Sequence, residues 1–115
     1  MNIAIIGLGL IGGSFAKDLR KAGIASELLG MDISREHADR ALQLGLVDRI
    51  VPFDGALRQS DVLLLAVPGD AIMTLLPKVL DVIRPEQTVI DLGSTKFRLA
   101  EAVRQHPSRE RYVAA

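Results

Sequence analysis

Short unbroken aliphatic runs alternate along this chain with segments whose apolar residues recur at helical spacing. The first run, Ile3–Ile6, has no polar alternation, which is the pattern of a strand buried on both faces, as in a parallel sheet. Glycines follow, and then Ile11, Phe15 and Leu19 recur at intervals of four. That spacing predicts a helix with one apolar face, Lys17, Asp18, Arg20 and Lys21 turned away from it, and a stop at Gly23. A second strand is predicted over Leu28–Asp32. The helix after it is capped by Ser34, gathers Ala38, Ala41 and Leu42 on one face and ends at Gly45. A short strand is expected near Arg49–Val51, and the longest aliphatic run, Val62–Val67, predicts a central one. Ile72, Leu75, Leu76, Val79, Leu80 and Ile83 then keep helical spacing around Pro77. Proline lacks the amide hydrogen and clashes with the preceding turn, so two segments are expected, one ending near Leu75 and one starting near Pro77. Thr88–Asp91 reads as a strand, Thr95–Arg104 as a helix, and Tyr112–Ala114 as the start of another strand.

Strands alternating with helices imply an α/β fold in three layers, a parallel sheet covered on both faces. Right-handed crossovers favour the doubly wound, Rossmann-type order 3-2-1-4-5-6. The length of 115 residues allows one domain, spanning 1–115. With 49% hydrophobic but only 3% aromatic residues, aliphatic side chains must fill its core. The chain stops at its last strand with no tail after it, so it reads as the N-terminal part of a longer protein.

Charge and composition remove several classes of function. Lys+Arg and Asp+Glu are both 14, so no basic excess draws the chain to nucleic acid or to an anionic membrane. Without cysteine it has neither disulfides nor thiolate metal sites. The apolar N-terminus lacks a basic leader and is broken by glycines, and no apolar run approaches the roughly 20 residues that span a bilayer. The chain is read as cytoplasmic. No metal-ligand spacing and no nucleophile–base pair is present, so no metal is expected.

The chemistry is concentrated in Gly7-Leu8-Gly9-Leu10-Ile11-Gly12, directly after a strand and opening a helix. Gly7 permits the tight turn, Gly9 leaves room for a pyrophosphate against the backbone, and Gly12 lets helix and strand pack closely. Free amides at the helix start, backed by the helix dipole, bind negative charge. Asp32 closes the second strand at the spacing expected of the acid that holds a ribose hydroxyl. A carboxylate there repels a 2′-phosphate, so NAD is expected over NADP, with Ile33 and Arg35 beside it and Arg35 able to contact adenine or, as the lesser alternative, a phosphate. Ligands of such sheets lie outside the carboxyl ends of the strands. Val67-Pro68-Gly69 and the loop Asp91-Leu92-Gly93-Ser94-Thr95-Lys96 are therefore expected beside the nicotinamide. His37 and His106 fall away from that edge in this reading and receive no catalytic role.

These residues resemble the prephenate dehydrogenase family, which includes arogenate dehydrogenases. The stretch Ile5–Ser14, with Gly13-Ser14 following the third glycine, is similar to that family's loop. So are Ala66-Val67-Pro68 and the Asp91–Lys96 loop. The resemblance implies NAD-dependent oxidative decarboxylation of prephenate to 4-hydroxyphenylpyruvate, on the route to tyrosine. It implies cofactor contacts from Gly7, Gly9, Gly12 and Asp32, with Lys96 a neighbour, and the expected cofactor site as a whole takes in Leu8, Leu10, Ile11, Ile33, Arg35, Val67, Pro68 and Ser94. Ser94 would in addition be catalytic, near the substrate hydroxyl or the catalytic histidine. That histidine follows the sixth strand in the family, beyond Ala115. The helical C-terminal domain, which supplies homodimer contacts and much of the prephenate or arogenate pocket, would also lie there. The segment alone is therefore expected to be inactive. Two other readings stay open on sequence. One is a β-hydroxyacid dehydrogenase or imine reductase with the same domain. The other is a nucleotide-sensing regulatory module that transfers no hydride.

Overall fold

The structure, a computed structural model, describes residues 1–67, 69–92 and 112–114. Chain order is β1 (Asn2–Ile6), α1 (Leu10–Ala22), β2 (Glu27–Met31), α2 (Arg35–Gln43), β3 (Arg49–Ile50), α3 (Phe53–Gln59), β4 (Val62–Leu65), α4 (Gly69–Val82), β5 (Thr88–Asp91) and β6 (Tyr112–Ala114). The strands form one six-stranded sheet in the order β3-β2-β1-β4-β5-β6, the doubly wound order the alternation predicts. Every pairing is parallel. Ile6 stands beside Met31 on one side and Leu65 on the other, and Leu65 beside Asp91. The carboxyl ends of the central strands therefore finish in one row.

Alternation along the strands divides the core between the two faces of the sheet. Ile3, Ile5 and Leu64 pack with Leu8, Ala16, Leu28, Ala41 and Val47, on the side of α1 and α2. Ile6, Leu63, Leu65 and Val89 pack with Leu57 of α3 and Ile72, Leu76, Val79 and Leu80 of α4. The aliphatic runs lack polar alternation because both sides of the sheet are covered.

The buried face of α1 is not the expected one. Gly12 and Ala16 are buried, whereas Ile11 is 53% and Phe15 41% exposed, and only Leu19 of the expected stripe packs against the core. The glycine loop brings this helix so close to the sheet that its inner face must be made of small residues. A Cβ on Gly12 would overlap the carbonyl oxygen of Gly7 and lie 3.3 Å from the Ala66 Cβ. The helix stops where expected, with Gly23 left-handed at φ 69° and its N–H donating to the carbonyls of Leu19 and Arg20. Ser34 caps α2, its hydroxyl accepting the His37 N–H at 3.3 Å, and Gly45 follows at φ 68°.

Two further expectations change. Residues 69–82 form a single helix, with Pro77 inside it. The buried row Ile72, Leu76, Val79 and Leu80 lies on both sides of the proline, so packing of one continuous face outweighs the ~3 kcal/mol that an internal proline costs. Helix α3 was not anticipated. Its seven residues are too few to show a period, yet Gly55, Ala56 and Leu57 are buried and Ser60 ends it, the hydroxyl donating to the Ala56 carbonyl at 2.6 Å. The expected helix at Thr95–Arg104 lies outside the described residues. Among those residues, no helix is long and apolar enough to cross a membrane.

Candidate functional site

Chain order reverses at β1: β2 and β3 are laid down on one side of it, β4 and β5 on the other. Loops leaving the carboxyl ends of β1 and β4 therefore part from each other and leave a crevice between them. A cavity of about 700 Å³ opens there. Its floor is Ile6, Gly7, Ala66 and Val67, and α1 contributes Gly9, Leu10 and Ile11. Met31, Asp32, Ile33, Ser34 and His37 form the β2–α2 side, and Phe53, Ala71 and Leu75 form the third wall.

The glycine loop is built by three different constraints. Gly7 has φ 98°, and a Cβ there would lie 2.6 Å from the Ala66 carbonyl oxygen, so both conformation and space demand glycine. Gly12 is demanded by the packing of α1 on the loop. At Gly9, which is in extended conformation, a Cβ would meet no atom within 4 Å. No contact among the described residues requires glycine at that position, which faces the cavity. Gly9 is also the N-cap of α1 and supplies no side-chain cap, and the first turn contains no acid. Among the described residues no side chain caps the leading amides of α1, and the Asp32 carboxylate, on the Leu8 N–H, stands beside this positive helix end.

Asp32, just past β2, aims its carboxylate at the same place with its side chain 9% exposed. Oδ2 accepts the Leu8 N–H at 2.7 Å and Oδ1 accepts the Ser34 N–H at 2.7 Å. His37 Nδ1 lies 3.2 Å from Oδ2. A carboxylate that is ionised only accepts, so Nδ1 carries the hydrogen of this bond. The acid is held in place from the β1–α1 loop, its own loop and α2 together.

The expected site residues divide accordingly. Gly7, Gly9, Leu10, Ile11, Asp32, Ile33 and Val67 meet at the cavity. Leu8 does not line it: its side chain is 6% exposed in the core and its N–H belongs to Asp32, so one loop amide expected to be free is engaged. Gly12 acts behind the wall, in helix packing. Arg35 is exposed and is not part of the lining. Pro68, Ser94 and Lys96 lie outside the described residues, as does His106. The placement of His37 away from the carboxyl edge is overturned. It is the third residue of α2, and the Ser34 cap turns that first turn back toward Asp32. Phe53 and Leu75 were also missed. Phe53 sits on the unanticipated α3, and Leu75 read as one more apolar residue of a core-facing helix. Among the described residues, no group of three or more His, Asp or Glu side chains could hold a metal ion.

Comparison with known proteins decides the family. Residues 15–115 match the model of the prephenate dehydrogenase nucleotide-binding domain. The chain belongs to that family. The match begins just after the glycine loop, but relatives extend over the loop as well. The prephenate dehydrogenase of Bacillus subtilis is 34% identical across 97% of the chain. A crystal structure of the Aquifex aeolicus prephenate dehydrogenase in complex with hydroxyphenyl propionate and NAD+ superposes with a TM-score of 0.83 at 28% identity, covering 99% of the chain and 40% of that protein. The arogenate dehydrogenase of Synechocystis gives 0.74 at 29% identity over 89% of the chain and 37% of its own. The chain spans 31% of the length of the Bacillus subtilis relative.

Proposed function

We propose that this chain is the NAD-binding module of an enzyme that oxidises and decarboxylates prephenate to 4-hydroxyphenylpyruvate, in cytoplasmic tyrosine synthesis. The observation that carries the reading is the convergence, on one cavity, of a helix start without a side-chain cap, a glycine with open space where its Cβ would be, and a largely enclosed carboxylate. A diphosphate fits the amides of Leu10 and Ile11 across the opening at Gly9, where no side chain intrudes. The adenosine ribose fits Asp32, and the adenine fits the apolar walls of Ile33, Phe53 and Leu75. Val67 then borders the nicotinamide half, which Ser94 would approach in the family pattern. NAD, when bound, supplies the hydride acceptor. The residues of this chain bind it, fix its orientation and keep its ribose end apart from the reacting ring.

The larger part of the relatives' length lies outside this chain. In our reading it supplies the catalytic histidine, most of the prephenate pocket and the homodimer contacts. Asp32 disfavours NADP, because a 2′-phosphate would face a carboxylate that is already nearly buried. Calorimetric titration of the chain with NAD, NADP, ATP and AMP tests the module. NAD is expected to bind best, and Asp32→Ala to weaken it by about 1–3 kcal/mol, the value of a hydrogen bond to a charged group. A preference for adenine mononucleotides over NAD would turn the reading toward a nucleotide sensor.

A further inference from the structure

We infer that His37 holds the acceptor position on Asp32 that a ribose hydroxyl takes when NAD binds, so that binding exchanges an imidazole for a hydroxyl. This rests on the NAD reading above and concerns how the same site discriminates the sugar. A carboxylate has about four lone-pair directions. Three on Asp32 are met by the Leu8 N–H, the Ser34 N–H and His37 Nδ1–H. An adenosine ribose offers two neighbouring hydroxyls, so one acceptor is open and the second must be vacated.

The three donors are not equally movable. Leu8 and Ser34 donate from backbone at 2.7 Å each, one in the loop fixed by Gly7 and the other at the cap of α2. His37 donates from a side chain that is 51% exposed, at the longer distance of 3.2 Å. Its release needs only a rotamer change into solvent and leaves the Ser34 cap intact, since that cap uses the His37 backbone N–H.

The test uses the full chain, with NAD and 2′-deoxy-NAD as probes, in calorimetry. His37→Ala should tighten NAD roughly three- to tenfold, the worth of one hydrogen bond no longer displaced. His37→Asn, whose amide nitrogen reaches the same oxygen, should stay near the native value. For 2′-deoxy-NAD, with a single hydroxyl on that sugar, His37→Ala should bring no gain. In the native chain, the 15N signal of His37 Nδ1 should lose its hydrogen-bonded character on saturation with NAD and keep it with the deoxy analogue. NAD binding that is unchanged or weaker in His37→Ala, or an Nδ1 signal indifferent to NAD, would overturn the proposal. The Asp32→Ala control separates the two levels. If it leaves NAD affinity untouched, the ribose assignment fails and this proposal with it. If it weakens NAD while His37→Ala does not tighten it, only the exchange fails.

Discussion

Gly9 caps α1 and Gly12 lies three residues on, inside its first turn, and a methyl group means something different at each. At Gly12 it would collide with the carbonyl of Gly7, which is backbone and cannot swing aside. Gly12→Ala should therefore cost about 3 kcal/mol of stability, the upper part of the usual overpacking range, read by chemical denaturation. At Gly9 the methyl enters open space on an extended backbone, so Gly9→Ala should fold as stably as the native chain. Its expected effect is on the ligand: NAD affinity falling by roughly tenfold or more, because the methyl stands where the diphosphate must approach the amides. A Gly9→Ala chain that binds NAD at native affinity would remove the diphosphate from this loop. The pattern of three glycines was legible in the sequence. So was their division of labour, the first and third expected to serve the fold and the second to face a ligand; what was not legible is the neighbour that enforces glycine at position 7, Ala66, which crosses behind the loop from β4.

Two polar residues do for the elements what the aliphatic core cannot. Gln87 is 2% exposed and holds the end of α3 to the turn before β5. Its amide donates to the carbonyls of Leu57 and Ser60 at 2.6 and 2.7 Å and accepts the Arg84 N–H at 2.8 Å. Gln87→Ala leaves three backbone groups without partners and should cost about 3 kcal/mol in denaturation, more than an exposed glutamine could. Asp48 works near the sheet edge. It accepts the Leu28 N–H at 2.8 Å and the Arg20 guanidinium at 2.9 Å, tying β2 to the last turns of α1. The Leu28 bond first, and Arg20 second, hold its carboxyl below the usual carboxylate range. A depressed carboxyl stabilises the fold above its unfolded value, and that stability is lost as pH falls through the folded value. Native and Asp48→Asn chains should thus differ at neutral pH, by about 1 kcal/mol or less for so exposed a pair, and converge in acid. Convergence would be absent if the Leu28 and Arg20 contacts did not depend on charge. Strands, caps and the sheet order could be read from period and punctuation, because each is local or follows from handedness. The inner face of α1, the continuity of α4 through Pro77, and the approach of His37 to Asp32 could not. Each is set by how closely two elements distant in sequence are pressed together.

Across the whole molecule the cavity is polarised. The titratable side chains on its lining are Asp32 and His37, and both stand at the β2–α2 end. Around Ala66 and Val67 the lining offers backbone and aliphatic surface. Leu10 and Ile33, each 95% exposed, both border the cavity. A cavity of this kind can bind a dinucleotide and present its nicotinamide, but its described lining holds no group placed to take a proton from a substrate hydroxyl beside that ring. Binding and turnover should therefore separate in a polypeptide of these 115 residues. NAD at a hundredfold excess over its dissociation constant should raise the unfolding free energy by about 2.7 kcal/mol, because a ligand of the native state stabilises by mass action alone. The same sample given prephenate should form no NADH, followed by absorbance over hours. Adding the remainder of a full-length relative in trans, or fusing it, should restore formation if it carries the base and the substrate pocket. NADH appearing with the short chain alone would mean that the reacting groups are already on it, and the division of labour proposed between this module and the rest of the enzyme would have to be abandoned.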